Sequence, residues 1–268
     1  MIGLVCIDVD GTLVGSSGEV DPRVWPLAAR LRERGTHLAL CTGRPAFGRV
    51  AEYAEKLDAG GWHIYQNGAS VVRPSSGEAF SSIISAHLIR PLIKRARALS
   101  RVLELYGDHT YVVESLDSRA EQHAASLGLE VTRGNLDQFE WPVVRLEYVL
   151  SSLELREVLE EAHPGLTLAV SSSPTMPQAH FVSLTLEGVS KGSAVRQVAA
   201  NYGVPLESVM MVGDSPNDLE AMRVVGFPVA MGNATPEVLE AGRFRVSHVD
   251  AGGLMGALEL ALAWSKAG

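Results

Sequence analysis

The chain has 268 residues, 46% of them hydrophobic, and its formal net charge is −8. That length suits one large or two moderate domains with a substantial core. The acidic balance, without any Lys/Arg-rich block, argues against a surface that binds nucleic acid or an anionic membrane. It is compatible with a small anionic substrate held by a few local cations. Cys6 and Cys41 lie in apolar runs without a CxxC or Cys/His pattern, so we expect two buried, reduced thiols.

Neither end of the sequence reads as a membrane or export signal. The chain reaches Asp8 after seven residues without a basic stretch, which is too short for a signal peptide. The apolar stretch 254–264 is interrupted by Glu259 and is too short to span a bilayer. We therefore expect a soluble, cytoplasmic protein that binds no membrane.

Both ends of the chain alternate short apolar runs with segments of helical period. Asp21-Pro22 supplies an N-cap and a first-turn proline, and Gly35 ends the helix that follows. Near-continuous apolar strands alternating with helices predict an α/β fold with a Rossmann-like, mostly parallel sheet. The predicted strands are 2–9, 36–41, 64–65, 181–186, 208–212 and 228–231. The predicted helices are 22–34, 45–57, 190–202 and 215–225, followed by two more.

The middle of the chain has a different pattern. Its predicted strands are shorter and interleave polar residues, as in a smaller sheet that is exposed to water on one face. The predicted helices are 86–99, 118–127 and 153–161, and the predicted strands are 102–105, 110–114, 143–150 and 166–171. We expect an inserted α+β domain at 83–182, with residues 1–82 and 183–268 forming the α/β core.

Polar motifs follow the predicted core strands at the point where each strand ends. DVDGT (8–12) follows the first strand, TGR (42–44) the second and GDSPND (213–218) a late one, while SKG (190–192) begins a helix. The carboxyl ends of strands in an open parallel sheet line one edge, where ligands bind. The sequence therefore predicts four carboxylates, a threonine and a lysine at one crevice.

Four crowded carboxylates would repel one another unless a cation lay between them. Oxygen ligands without His or Cys select a hard ion, and a few carboxylates with open positions suit Mg²⁺. With a lysine, a threonine hydroxyl and glycines that allow close backbone approach, such a site would bind phosphate. Each motif alone is more typical of a turn or helix cap, but their coincidence in consecutive α/β units favours a functional site. The glycines are Gly11, Gly43, Gly68, Gly192 and Gly213.

These motifs resemble the four signature motifs of the haloacid dehalogenase superfamily. NGA (67–69), VSKG (189–192) and MGNA (231–234) resemble the sequences of its Cof-type phosphatases. The resemblance covers both halves of the predicted core, and the 148 residues between Thr42 and Lys191 leave room for the large α/β cap of this branch, class IIB. It implies that the inserted domain selects the substrate.

The resemblance also implies roles for the carboxylates. Asp8 would attack phosphorus to form an aspartyl-phosphate intermediate, and Asp10 would act as general acid and base. Mg²⁺ would be held by Asp8, the Asp10 backbone carbonyl and Asp214. Asp218 would orient the neighbouring lysine or a metal-bound water, so the expected metal set is Asp8, Asp10, Asp214 and Asp218.

Phosphate binding is assigned by the same resemblance. Lys191 and Thr42 would hold the phosphoryl oxygens, together with backbone N–H groups after the nucleophile. The other expected phosphate or substrate contacts are Val9, Gly43, Arg44, Asn67, Gly68 and Asn217. In the inserted domain, the polar residues considered as substrate contacts are His109, Glu114, Arg145, Glu147 and His180, and loops are expected at 141–142 and 171–177.

The sequence thus predicts a Mg²⁺-dependent phosphomonoester hydrolase for a small phosphorylated metabolite such as a sugar phosphate, acting as a monomer or small homo-oligomer. A phosphotransferase or phosphomutase with the same aspartyl chemistry is an alternative. So is a non-catalytic phospho-receiver or sensor, but such a protein would tolerate loss of Asp10 or Lys191. The presence of both favours an enzyme.

Overall fold

The computed structural model describes residues 1–172 and 176–265. Its strands are β1 (Leu4–Ile7), β2 (His37–Leu40), β3 (His63–Tyr65), β4 (Ser70–Val72), β5 (Val102–Tyr106), β6 (Tyr111–Val113), β7 (Arg145–Leu150), β8 (Leu166–Ser172), β9 (His180–Leu186), β10 (Val209–Gly213), β11 (Phe227–Ala230) and β12 (Phe244–Arg245). Its helices are α1 (Val24–Glu33), α2 (Arg49–Asp58), α3 (Ala86–Ala98), α4 (Ser118–Leu127), α5 (Ser152–Glu160), α6 (Lys191–Asn201), α7 (Leu219–Val224), α8 (Pro236–Ala241) and α9 (Gly253–Trp264). The chain divides into two compact units, one of Met1–Arg44, Ala51–Ala79 and the part from Ser190 onward, the other of Pro45–Val50 and Phe80–Val189.

The first unit contains a five-stranded parallel sheet of order β12-β11-β10-β1-β2. In the central strand β1, Leu4 aligns with Val209 of β10 on one side and with His37 of β2 on the other. All four residues of β1 are fully buried, which explains the unbroken apolar run LVCI. The predicted α/β class with a Rossmann-like, mostly parallel core is confirmed.

A short hairpin extends this sheet beyond β2. β3 and β4 pair antiparallel, and Ile64 of β3 forms a parallel bridge with Cys41, directly after β2. β4 was absent from the prediction, because its three residues are too few to show a period. Four residues separate the two strands, and the first three, Gln66–Gly68, form a tight turn in which all have positive φ.

The second unit contains an antiparallel sheet of order β6-β5-β7-β9-β8. One face carries a large apolar cluster that includes Ile89 and Ile93 of α3, Leu146 and Tyr148 of β7, and Val158 of α5. This smaller α+β unit agrees with the fold class predicted for the middle of the chain.

One predicted core strand, 181–186, belongs instead to the second unit. It is β9, and it lies between β7 and β8. A strand with neighbours on both sides is buried along most of its length, so its apolar run resembles that of a parallel core strand. The predicted boundary between 182 and 183 falls inside β9, and the second unit continues to Val189.

The structure tests three local predictions: one helix, one loop and the state of the cysteines. The helix predicted at 45–57 begins at Arg49, and residues 45–50 belong to the second unit. Of the loop predicted at 171–177, residues 171–172 lie in β8 and 173–175 are outside the described residues. Cys6 and Cys41 are both free and buried, as predicted.

Among the helices of the described residues, none has the length and apolar character needed to cross a membrane.

The His63 side chain connects β3 to the side of β2 that faces away from β1. Its Nδ1 accepts a hydrogen bond from the Leu40 N–H at 3.0 Å, so Nε2 carries the proton and donates to the Asp58 carbonyl at 2.8 Å. The side chain is fully buried. Burial lowers the pKa of His63 to about 4, against the opposing influence of the Asp58 carbonyl and carboxylate.

This histidine should make the protein less stable in mild acid. Between about pH 6.5 and 4 the unfolded chain binds a proton at this position and the folded chain does not, so the free energy of unfolding falls as the pH falls. The full effect is about 3 kcal/mol. Denaturant unfolding at several pH values should show a steeper acid loss in the native protein than in His63→Gln. An exposed control, His87→Gln, should keep the native slope; parallel curves for all three proteins would contradict this role.

Candidate active site

The candidate site lies at the carboxyl edge of the parallel sheet. Asp8 directly follows β1, Thr42 comes two residues after β2, and Asp214 directly follows β10. The Asp8 N–H donates to the Val212 carbonyl at 3.0 Å, so the ladder between β1 and β10 continues up to the first carboxylate. Asp8 is only 4% exposed. The buried strand therefore carries this carboxylate into the edge of the sheet rather than into solvent.

Lys191 joins two of the predicted carboxylates. Its Nζ lies 2.6 Å from Oδ1 of Asp8 and 2.6 Å from Oδ1 of Asp218, and all three side chains are buried. Burial raises the pKa of Asp8 well above its ordinary value, although the Lys191 ammonium opposes the shift. Burial would lower the pKa of Lys191, but the two carboxylates outweigh it and raise that pKa. The lysine is therefore held as a cation at the first carboxylate.

Lys191 is positioned by the start of α6. Ser190 caps this helix in a capping box with Ser193, which fixes the first turn and the direction in which the lysine leaves it. Gly68 packs against the same point, because a Cβ added there would lie 2.1 Å from the Ser190 carbonyl oxygen. The hairpin turn after β3 and the beginning of α6 are thus in backbone contact.

Asp218 is fixed by the backbone of its own loop. Its Oδ2 accepts hydrogen bonds from the N–H groups of Asp214 at 3.0 Å and Ser215 at 3.1 Å, while Oδ1 accepts from Lys191. Both oxygens of this buried carboxylate therefore have partners. Gly213 leaves the room for it, since a Cβ at that position would lie 2.4 Å from Asp218 Oδ2.

Three of the four predicted metal ligands come together. Asp8, Asp214 and Asp218 each offer an oxygen, and these oxygens lie within 4.8 Å of one another. Oδ1 of Asp214 is buried and has no hydrogen-bond partner. Burial, followed by the nearby Asp218 carboxylate, raises the pKa of Asp214 to about 7. A buried acceptor without a partner, among hard oxygen donors, fits a divalent cation that would stabilise the ionised form.

Asn233 orients Asp214, a role that our sequence analysis missed. Its Nδ2 donates to the Gly11 carbonyl at 2.8 Å and to Asp214 Oδ2 at 3.2 Å, and its Oδ1 accepts from the Val249 N–H at 2.9 Å. Gly11, with φ of +83°, brings the loop after β1 so close that an added Cβ would lie 2.1 Å from Asp214 Oδ2. The only sequence signal was the MGNA stretch, which gave no role to its asparagine.

The fourth predicted carboxylate, Asp10, lies apart from this cluster and is paired with Arg44. Nε of Arg44 lies 2.8 Å from Asp10 Oδ2, and Nη2 lies 2.5 Å from Oδ1, so the contact is bidentate. The Asp10 side chain is 58% exposed. The structure therefore places its carboxylate at the mouth of the site and not among the three clustered aspartates.

Most of the remaining predicted contacts lie around Thr42 and Asn67. Thr42 is buried and its Oγ1 accepts from the Arg44 N–H at 3.1 Å, while its carbonyl accepts from the Asn67 N–H at 3.0 Å. Oδ1 of Asn67 also accepts from Asn217 Nδ2 at 3.0 Å, and Gly43 packs beside it, since an added Cβ would lie 3.1 Å from that oxygen. The Val9 side chain is fully buried, so only its main chain could meet a ligand.

The polar residues considered in the second unit have partners of their own. Glu114 pairs with Arg97, and His180 lies 3.0 Å from Ser152 Oγ. Arg145 and Glu147 form a buried ion pair at 2.9 Å, and His109 is exposed. Trp141 and Pro142 lie outside the helices and strands, as expected.

Comparison with known proteins identifies the family. A sequence model of the haloacid dehalogenase-like hydrolases, Hydrolase_3, matches residues 5–258. The chain belongs to this family. The resemblance drawn from the motifs is confirmed, and so is the conclusion that the protein is an enzyme.

Three similar proteins illustrate the relationship. The inferred phosphatase YxeH of Bacillus subtilis (strain 168) is 29% identical over 98% of this hydrolase and all of its own length. A second protein of that strain, named 5-amino-6-(5-phospho-D-ribitylamino)uracil phosphatase YcsE, is 26% identical over 89% of this chain and 87% of its own. The crystal structure of a haloacid dehalogenase-like hydrolase from Bacteroides thetaiotaomicron has a TM-score of 0.85 at 27% identity, covering 97% of this chain and 99% of that one.

Proposed function

We propose that this hydrolase is a Mg²⁺-dependent phosphatase that cleaves a small phosphomonoester through an aspartyl-phosphate intermediate. The observation that carries the proposal is the buried Lys191, which lies 2.6 Å from Asp8 beside an aspartate with an unpartnered oxygen. A carboxylate nucleophile needs positive charge beside it when it approaches an anionic phosphoryl group. Lysine and cation together would supply that charge.

The first step is attack by Asp8 on phosphorus. Its oxygen would form the new P–O bond as the bond to the substrate's leaving oxygen breaks. Lys191 and the Thr42 hydroxyl would hold the phosphoryl oxygens, with the main-chain N–H groups after Asp8. Asn217, Asn67, Gly43, Gly68 and Arg44 are proposed as further phosphate or substrate contacts.

Asp10 is proposed as the general acid and base. It would protonate the leaving oxygen, then remove a proton from the water that hydrolyses the aspartyl phosphate. Its exposed carboxylate is bound by Arg44, so this pair must separate or shift before Asp10 can donate a proton. A substrate phosphate is a competing partner for the Arg44 guanidinium.

Asp8, Asp214 and the Asp10 backbone carbonyl are the proposed Mg²⁺ ligands. Asp218, also in the predicted metal set, would orient Lys191 or a metal-bound water. When bound, the ion would offset charge between the nucleophile and the phosphoryl group. Asn233 would keep Asp214 in place for this role.

The substrate class is proposed from the family and the relatives. YcsE is named for a phosphorylated ribitylamino-uracil, a small metabolite with a sugar-like phosphate ester. We assign the second unit, predicted as residues 83–182, to substrate selection, and we expect a small phosphorylated metabolite of sugar-phosphate type. An acidic chain without a basic block is not expected to act on nucleic acid.

A phosphatase screen tests this proposal. Phosphate release from a panel of phosphorylated metabolites should occur with Mg²⁺ and fall to background in EDTA, and Asp214→Asn should require a higher Mg²⁺ concentration than the native protein. Transfer of phosphate to an added sugar instead of water would indicate the phosphotransferase alternative. Stable phosphorylation of the chain without turnover would indicate a receiver, and no phosphate chemistry on any substrate would contradict the proposal.

A further inference from the structure

We propose that β8 is a dimerisation edge, through which two copies of the chain pair antiparallel about a two-fold axis at Ala169. β8 is an edge strand of the second unit's sheet and has seven residues, LTLAVSS. The strand contains no charged residue and no proline. Edge strands offer main-chain donors and acceptors to other chains, and proteins usually blunt them with charges, proline or short length. β8 has none of these protections.

The other edge strands in the described residues are shorter than β8. β6, the opposite edge, has three residues, and its Val113 exchanges hydrogen bonds with a neighbouring segment: its N–H donates to Thr132 O at 2.9 Å and its carbonyl accepts from Gly134 N at 3.1 Å. In the first unit, β12 has only two residues. Among these edge strands, β8 is therefore distinguished by its length together with its lack of charge.

Hydrogen-bond alternation shows which groups of β8 face outward. Gly165 lies opposite Glu187 in the register that continues β8 and β9, and the Glu187 N–H donates to the Gly165 carbonyl at 3.0 Å. Antiparallel ladders alternate bonded and non-bonded pairs along each strand. Residues 165, 167, 169 and 171 therefore direct their main-chain groups towards β9. Leu168 and Val170 direct theirs towards the open edge.

A two-fold axis at Ala169 satisfies these outward groups with their own copies. It places Leu168 opposite the partner's Val170 and Val170 opposite the partner's Leu168. Both are then hydrogen-bonded pairs, and each supplies two main-chain bonds. The central pair, Ala169 with its copy, is a non-bonded pair, as the alternation requires. In this pairing, the outward main-chain groups of β8 therefore meet the outward main-chain groups of its copy.

The side chains are compatible with the same pairing. Leu168 packs on the apolar cluster of the sheet, and Val170, opposite Val182 of that cluster, is on the same face yet 50% exposed. Beside the partner's Leu168, Val170 would extend the apolar face across the interface. On the other face, Thr167 would meet the partner's Ser171. No charges oppose each other along the strand, despite the chain's net charge of −8.

The first test is the oligomeric state of the full chain. Sedimentation velocity over a wide concentration range should show a concentration-dependent dimer for the native protein. Val170→Lys should weaken dimerisation at least about tenfold, because a lysine at an edge opposes strand pairing. Leu116→Lys, which adds the same charge at an 86% exposed leucine away from β8, should dimerise like the native protein. A native protein that is monomeric throughout, or a Val170→Lys variant that dimerises normally, would overturn the proposal.

The second test examines the register and does not depend on the folding of Val170→Lys. Across the two-fold axis, Ala169 would lie about 4.5 Å from its copy between Cα atoms, which a disulfide can bridge. Ala169→Cys should therefore form a covalent dimer on mild oxidation. Ser171→Cys should not, because its copy would lie about 13 Å away along the strand. Equal cross-linking of both variants, or none of Ala169→Cys in a dimeric sample, would exclude this interface.

Discussion

Replacing Asp8 with asparagine is expected to reduce Mg²⁺-dependent phosphate release by roughly 10⁴-fold or more, the scale on which loss of a covalent nucleophile reduces turnover. Asparagine has the same shape, but its amide does not attack phosphorus. Lys191 keeps its second carboxylate partner, Asp218, at 2.6 Å, so the variant should fold. Initial rates on the best substrate of the panel measure the effect. Native-like turnover would remove Asp8 from the proposed mechanism.

Two controls separate chemistry from general damage. Glu33→Gln removes an exposed carboxylate from α1 and should leave the rate unchanged. Asp10→Asn should also lose turnover, yet with a good leaving group it should still transfer one phosphoryl group to the protein, detectable by mass. The double variant with Asp8→Asn should not gain that mass. Phosphorylation of the double variant would mean that another residue is the nucleophile.

Replacing Lys191 with methionine is expected to lower the free energy of unfolding by about 3–5 kcal/mol, in addition to abolishing activity. The lysine side chain is fully buried and lies between two carboxylates that are also buried. Methionine fills a similar volume but leaves Asp8 and Asp218 facing each other without a cation. Denaturant unfolding monitored by circular dichroism measures the loss.

The loss should depend on pH and on the second carboxylate. Without the ammonium, burial raises the pKa of Asp8 unopposed, so the folded variant binds protons more readily than its unfolded chain. Its stability should therefore fall as the pH rises, and the deficit should be smaller at about pH 5 than at about pH 8. Adding Asp218→Asn to Lys191→Met should recover part of the stability at the higher pH. A single variant as stable as the native protein at both pH values would contradict the buried ion network.

The sequence was sufficient to predict that three of the four aspartates and Lys191 lie together at the sheet edge. A short unbroken apolar run favours a buried strand, and parallel strands end at a common edge, so Asp8 and Asp214 were expected on the same side of the sheet. That they are close neighbours follows from the pairing of β1 with β10. A lysine at the start of a helix in the same α/β series was placed by the same topology. The family resemblance added roles to residues that topology had already brought together.

Other features depend on contacts that no local pattern reveals. Asn233 reaches Gly11 across 222 positions of the chain, and its amide gives no sign of that contact in the sequence. Asp10 is paired with Arg44 by the choice of side-chain rotamers, which spacing does not determine. β9 resembled a strand of the parallel core because it is paired on both sides and buried along most of its length. An interior strand of an antiparallel sheet can therefore show the same apolar run as a strand of a parallel sheet. These features are decided by tertiary packing, so sequence reasoning could name the residues without finding their partners.

The turn at Gly68 packs against the start of the helix that carries Lys191. The Ser190 carbonyl oxygen, at the start of this helix, lies 2.1 Å from the place that a Cβ at position 68 would occupy. The close packing at this turn therefore helps to position the start of α6, from which the Lys191 ammonium reaches Asp8. A side chain at position 68 would displace the start of α6 and so change the position of Lys191. The residues proposed to react would themselves be unchanged. In an engineered variant, the tolerance of this position would measure how closely activity depends on the distance between Asp8 and Lys191.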